Sequence, residues 1–509
     1  MTSGTREEYQ ERNPIRDAGS AGLLGFSTIP EPSHAGFPLL FPTIQFALFF
    51  VVVLTANWLL LPHRQAWKRF MLVASYVFYG AWDWRFVGLI ILSTLVNQAA
   101  ATAMTRADGA VQRKRAITAA VIANLAILGW FKYYGFFASS LINLFGRVGV
   151  DLPLPLLQLT LPVGISFFTF QALSYVIDVY RGKQDRVPLL DFAVYLAFFP
   201  QLVAGPIVRS SEFLPQLRGR KDPRHVDATK AFGLIAGGLF KKVVVANTLA
   251  TTIVDPVFAS PSQFTAIAVL FAIYGYAVQI YADFSGYTDI AIGVALLMGF
   301  RFPDNFASPY AAVSIRDFWR RWHMTLSRWL RDYLYIPLGG SRYGRFLTYR
   351  NLFLTMLLGG LWHGAAWTFV IWGAFHGGLL AWERWREETR GGPAPALSTP
   401  LGRALARFTT FHLVCLGWVL FRSTSMAQAG ELLGRLVEPG AAPAVTPVVL
   451  ALVAGGIAVQ YVPSDLRLTL QARASRLGPV PTALGLGLFL LALDGFGPEG
   501  VAPFIYFQF

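Results

Sequence analysis

Two histidines, His323 and His363, offer the chemistry that stands out in this chain of 509 residues. The first lies in DFWRRWHMTLSRWLRDYLYIPLGG at 317–340, and the second, forty positions later, in LLGGLWHGAAWTFVIWGAFHG at 357–377. Imidazole exchanges a proton near neutral pH, and an ionisable ring inside an apolar segment is costly unless it has a function or a partner. Between Arg350 and Glu383 run thirty-two residues with no Asp, Glu, Lys or Arg, and His363 is the thirteenth of them. At ~1.5 Å per residue a helix would carry it roughly 20 Å from the charged end, near the middle of a membrane. Gly359, Gly360 and Gly364 let backbone or ligand come close, while Trp362 and Trp367 can wall a cavity and donate a hydrogen bond. These features favour proton transfer by His363; the alternative is a structural histidine bonded to a neighbouring helix. His376, thirteen residues on, points about 220° away on an ideal helix and shares a site with His363 only if the segment breaks. It reads as structural.

Around His323 stand Arg316, Arg320, Arg321, Arg328 and Arg331, interleaved with Trp319, Trp322 and Trp329. Such a cluster anchors an interfacial helix. Its centre, Arg320, Arg321 and Trp322, would also attract a polyanionic donor carrying phosphates. Asp178, Asp283 and Asp289 are carboxylates within apolar sequence and should pair with Arg, Lys, His or backbone. Lys132, in WFKYYGFF, reads as a snorkelling cation at the headgroup level. Cys415 stands alone, which excludes an intramolecular disulfide and any CxxC metal knuckle, and no metal site is expected. The sequence has no GxSxG elbow, P-loop, HExxH or DxD, and neither histidine is followed by Asp four or five residues on. The signals of serine hydrolases, ATPases, zincins, metal-dependent glycosyltransferases and the His-Asp acyltransferases are therefore missing, leaving histidine chemistry in a membrane.

Hydrophobic residues make up 54% of the chain and charged residues only 14%, against about 25% charged in soluble domains. The predicted class is an all-α polytopic membrane protein. The net charge of +15 sits in short loops between apolar spans, as the positive-inside rule requires, and argues against nucleic acid as a partner. Residues 1–40 read as a disordered polar extension and 41–509 as one membrane domain. Basic loops at 63–69, 106–115 and 209–230 are assigned to the cytoplasm, with the amino terminus outside. Apolar windows fall at 41–61, 70–82, 86–104, 116–137, 152–180, 231–254, 263–282, 284–300, 351–382, 408–421, 445–462 and 480–494. Between them FAVYLAFFPQLVAGPIVR, ending at Arg209, carries FPQ and AGP punctuation and reads as re-entrant or broken. By the ~20-residue criterion this amounts to about eleven membrane helices.

At these residues the chain resembles the membrane-bound O-acyltransferase superfamily, in its alginate O-acetyltransferase branch. The carriers are PVGISFFTFQALSYVIDVYRG at 162–182, FPQLVAGPIVR at 199–209, DFSGYTDIAIG at 283–293, PDNFASPY at 303–310, the two histidine segments, LGWVLFR at 416–422 and the terminal PFIYFQF. WHG alone is a weak motif; the ordered series is specific. The resemblance implies that His363 matches the catalytic histidine and His323 the second functional position. It also implies a horseshoe of about eleven helices around a tunnel in a bacterial inner membrane. An acyl thioester such as acetyl-CoA would enter from the cytoplasm. A polysaccharide hydroxyl, or a partner acetyltransferase outside, would receive the acyl group. On this expectation His363 is the general base, while His323 orients the donor or donates to the developing oxyanion. A flippase for a lipid-linked glycan or a non-catalytic scaffold would share the composition but would not need His363.

Overall fold

The computed structural model describes residues 39–463, apart from 158, 220, 393–397 and 439–444, together with scattered positions from 465 to 491. The polar extension before residue 39, most of the window at 480–494 and the terminal PFIYFQF lie outside the described residues.

Among the described residues helices follow one another and no strand occurs. Five helical runs are long and apolar enough to cross a membrane: Arg64–Arg106, Ala110–Gly146, Ala228–Ala259, Ala266–Leu297 and Pro400–Arg422. The first holds two helices, Arg64–Asp83 and Val87–Arg106, joined by a tight turn. Ile44–Leu60, Ile165–Tyr180 and Pro447–Tyr461 are shorter apolar helices. With runs of this length and hydropathy, the chain is an all-α polytopic membrane protein.

Two windows that read as separate spans, 263–282 and 284–300, form one helix, Ala266–Leu297. The Thr265 hydroxyl caps its start by accepting from the Ala268 amide at 3.2 Å. Asp283 does not interrupt it, because the Lys242 ammonium pairs with that carboxylate, and Lys241 pairs with Asp289 on the same helix. The lysines arrive on the Ala228–Ala259 run, where wide π turns at Phe240–Ala246 and Ala250–Val254 replace regular helix. Glycine makes the approach close enough. A Cβ at Gly238 would lie 2.6 Å from the Gly286 carbonyl oxygen, and one at Gly286 would lie 2.8 Å from that of Gly238.

The thirty-two-residue uncharged stretch breaks, as an ideal single span would not. Helix Arg345–His363 ends at Gly364, whose backbone is extended at φ −155° and ψ 149°. Helix Trp367–Arg390 then returns antiparallel to it. Small residues line the seam: a Cβ on Gly373 would meet the Met356 carbonyl at 2.5 Å, and one on Gly377 the Phe353 Cα at 2.9 Å. Small residues at such a seam let the two backbones approach closely and pack. Gly364 is obligatory for a different reason, since a Cβ there would enter the Phe369 ring at 2.1 Å.

Several basic residues of the loops and helix ends are paired with acidic ones from other elements. Lys68 pairs with Asp191 at 2.5 Å, Arg209 with Asp332 at 2.8 Å, Arg316 with Glu387 at 2.7 Å and Arg328 with Glu212 at 3.3 Å. Arg422 with Asp255 at 2.9 Å and Arg435 with the Phe264 carbonyl at 2.8 Å tie together different loops.

Gly373→Leu should lower the unfolding midpoint of the detergent-purified protein, with overpacking of this kind costing about 1–3 kcal/mol. Gly378→Leu, where a Cβ meets nothing within 4 Å, should leave it unchanged. Asp283→Ala, which leaves Lys242 without its carboxylate, should cost about 3–5 kcal/mol, and Lys242→Met in the same chain should restore most of it.

Candidate active site

His363 is the last residue of its helix and is only 3% exposed. Its ring lies 5.0 Å from that of Trp362, 5.1 Å from Trp372 and 5.3 Å from Phe421, all in edge-on arrangements. Trp372 comes from the returning hairpin helix and Phe421 from Pro400–Arg422, so three helices wall the imidazole. The indole Nε1 atoms of Trp362 and Trp372 are buried with no hydrogen-bond partner among the described residues. Donors left unfilled beside an imidazole suit a polar group that arrives from outside.

The break at Gly364 also changes the place of His376. Because the two histidines ride on different helices, the helical-wheel angle does not apply, and both rings meet Trp372, His376 at 4.9 Å. His376 is fully buried, its Nδ1 accepting from Trp319 Nε1 at 3.4 Å. Its Nε2 is buried with no partner among the described residues.

His323 occupies a left-handed backbone conformation, φ 42° and ψ 54°, at the head of the short helix Met324–Leu330. A non-glycine residue there carries strain that its surroundings must enforce. Asn305, in PDNFASPY, does so. Its carbonyl accepts from the Met324 amide at 2.9 Å, and its Oδ1 accepts from the Thr325 amide at 3.2 Å and the Thr325 hydroxyl at 2.9 Å. The same Oδ1 lies 3.2 Å from His323 Nδ1. A backbone N–H can only donate, so the Asn305 oxygen faces this group, and Nδ1 must carry the proton to approach it. Burial lowers the His323 pKa to about 3, which keeps the ring neutral. Nε2 is then the lone-pair nitrogen, and it has no partner among the described residues. The His323 ring is 6.1 Å from that of Trp362, so one indole separates the two histidines.

The expected donor-binding residues lie in three different settings. Arg320 is exposed. Arg321 Nε bonds Asp317 at 2.8 Å. Trp322 is 1% exposed and stacks on Phe318 at 5.6 Å, edge-on to Phe306 at 5.0 Å. Its part is in the aromatic core. A cleft of about 470 Å³ opens among Arg181, Lys183, Asp332, Ile336, Pro337 and Arg342. Arg181 covers the Tyr333 ring at 5.5 Å. From Tyr333 aromatic rings lead inward to the site: Trp329 at 5.2 Å, Phe170 stacked on it at 3.7 Å, then Trp362 at 5.3 Å from Phe170.

Sequence reasoning missed Asn305 and the Tyr333 partner of Asp178, and misplaced Lys132. Asp178 accepts from the Tyr333 hydroxyl at 2.7 Å, with Lys183, Arg181 and Arg209 close enough to act on its charge. Lys132 does not snorkel outward: its Nζ donates to the carbonyls of Trp362 at 2.7 Å and His363 at 3.0 Å. The signal was a cation inside an aromatic run, which reads equally well as an anchor. Among the described residues no group of three or more His, Cys, Asp or Glu side chains converges to hold a metal.

The profile of the membrane-bound O-acyltransferase family matches residues 78–386. The chain is 42% identical over 404 residues to a probable alginate O-acetylase of Azotobacter vinelandii, covering 79% of both proteins. It is 45% identical over 371 residues to a probable alginate O-acetylase of Pseudomonas aeruginosa, covering 71% of this chain and 68% of the relative. To a peptidoglycan O-acetyltransferase of Helicobacter pylori it is 37% identical over 398 residues, covering 73% of each. The matched span contains both histidines, Asn305, Trp362 and Trp372, and the chain belongs to the membrane-bound O-acyltransferase family as an O-acyltransferase.

Proposed function

We propose that this chain moves an acetyl group from a cytoplasmic thioester to a hydroxyl of an extracytoplasmic polysaccharide, or to a partner acetyltransferase that completes the transfer, across a bacterial inner membrane. The observation that carries the reading is the buried His363 imidazole at the break of the hairpin, beside indole N–H groups with no protein partner. The names of the similar proteins support an acetyl group and a glycan acceptor.

His363, neutral in its apolar walls, takes the proton of the acceptor hydroxyl as that oxygen attacks the thioester carbonyl carbon. A C–O bond forms and negative charge gathers on the carbonyl oxygen, where Trp362 and Trp372 offer N–H donors. Collapse breaks the C–S bond, and the thiolate leaves with the proton that His363 holds, so the products are an ester and a free thiol. His323, presenting a lone pair at Nε2, suits the expected role of orienting the donor, by accepting from an N–H or O–H of its arm. In that tautomer it cannot donate to an oxyanion through Nε2. The cleft of Arg181, Lys183 and Arg342, which Asp332 also lines, suits the donor's phosphates too, because its Arg181 covers Tyr333, the first of the rings that lead to Trp362.

His363→Ala should lower acetyl transfer by about 10²- to 10⁴-fold while the protein still reaches the membrane, measured as labelled acetyl passing from acetyl-CoA to polymer in native membrane vesicles. Undiminished transfer would remove His363 from the mechanism. Asn305→Ala should lower the rate about tenfold, the equivalent of one hydrogen bond of ~1.4 kcal/mol, through loss of the His323 tautomer and pose. A strain lacking the chain should lose ester-linked acetate from one of its envelope polymers, which identifies the acceptor.

A further inference from the structure

We propose that Lys132 and Tyr133 form a clamp on the carbonyl end of helix Arg345–His363 and position His363 for proton transfer, an inference that rests on His363 being the base. A helix leaves its last four carbonyls without intrahelical partners, and in apolar surroundings each must find a donor. Here two adjacent side chains from one other element serve three successive carbonyls. Tyr133 Oη donates to the Leu361 oxygen at 3.0 Å, and Lys132 Nζ donates to those of Trp362 at 2.7 Å and His363 at 3.0 Å.

The element that carries them is built for the purpose. Regular helix Ala110–Leu128 gives way to a π turn over Gly129–Tyr133 before helix resumes at Tyr134. A widened turn re-aims side chains that a regular helix would spread around its axis. Lys132 Nζ also lies 3.4 Å from Ser166 Oγ, in the first turn of helix Ile165–Tyr180, and 5.9 Å from the Trp362 ring. The ammonium thus joins three elements at the point where the Arg345–His363 helix stops, and it faces the negative end of that helix's dipole. His363 is held through its own carbonyl, so a shift of the clamp moves the ring. A misplacement of about 1 Å is enough to cost about 10²-fold in rate. Lys132 touches no reacting atom in this arrangement and is a positioning residue.

The test uses native membrane vesicles bearing the full chain, with acetyl-CoA as donor and the membrane's own acceptor, and reads Vmax per amount of chain, KM for acetyl-CoA and the thermal midpoint of the purified protein. Lys132→Met should lower Vmax about 10²-fold with KM changed less than about threefold. Lys132→Arg should recover at least about a tenth of the activity, since the guanidinium retains the charge and the donors. Tyr133→Phe, which removes one carbonyl bond and little volume, should lower Vmax about tenfold at an unchanged midpoint. Wild-type Vmax in Lys132→Met or Tyr133→Phe overturns the proposal, as does a loss that Lys132→Arg fails to recover or that tracks the midpoint. Activity retained by His363→Ala would instead overturn the base assignment, and the two failures are told apart in one series.

Discussion

A helix that stops inside an apolar environment must satisfy its terminal carbonyls, and much of this structure follows from that requirement at His363. The break at Gly364 is what allows the imidazole to stand at a helix end with its ring among Trp362, Trp372 and Phe421. A continuous helix would have buried the same residue against a neighbour as one more packed side chain. The break leaves carbonyls without intrahelical partners, and Lys132 and Tyr133 supply the donors. Glycines close the remaining space, because the Gly360 and Gly373 backbones meet where any Cβ would collide. Irregular backbone at this depth is tolerated only where protein surrounds it.

His323 rests on a parallel device. Its left-handed backbone is held by Asn305, which bonds both of the residues that follow and fixes which imidazole nitrogen carries the proton. The strain is local and its compensation is visible, and the outcome is a neutral ring with one free lone pair. The two histidines therefore bring different chemistry to one indole: a buried imidazole walled by donors on one side, and an acceptor of fixed tautomer on the other. The ion pairs Lys242–Asp283 and Lys241–Asp289 serve elsewhere, docking the Ala228–Ala259 run against the Ala266–Leu297 helix that backs the site.

The class of fold was legible because burial in lipid leaves a compositional record, and apolar runs with basic loops are hard to read otherwise. The break of the 351–382 window was not, since Gly-rich sequence at Gly359, Gly360 and Gly364 serves a tight seam and a chain reversal equally. Asp283 suggested an interruption because a lone carboxylate in lipid is costly, and Lys242, its partner, is 41 positions away in sequence. Lys132 illustrates the same limit: its partners lie about 230 positions downstream, and no local pattern announces them. Trp322 was read with its arginine neighbours as part of an interfacial, donor-attracting cluster, but it follows the end of helix Ile315–Arg321 in extended backbone and packs against Phe318 and Phe306. His363 and His323 were recognisable from residue type and setting, whereas Asn305 acquires its meaning only from the hydrogen bonds around it.

The most direct test of the site is a pre-steady-state measurement on the purified, membrane-reconstituted chain and its His363→Gln variant, following thiol release from acetyl-CoA as glycan acceptor is added. Acceptor-dependent thiol release in the parent chain and its loss in the variant, with acetyl-CoA binding retained in both, is the result this mechanism requires. Acceptor-dependent release at equal rates in the two proteins would contradict it.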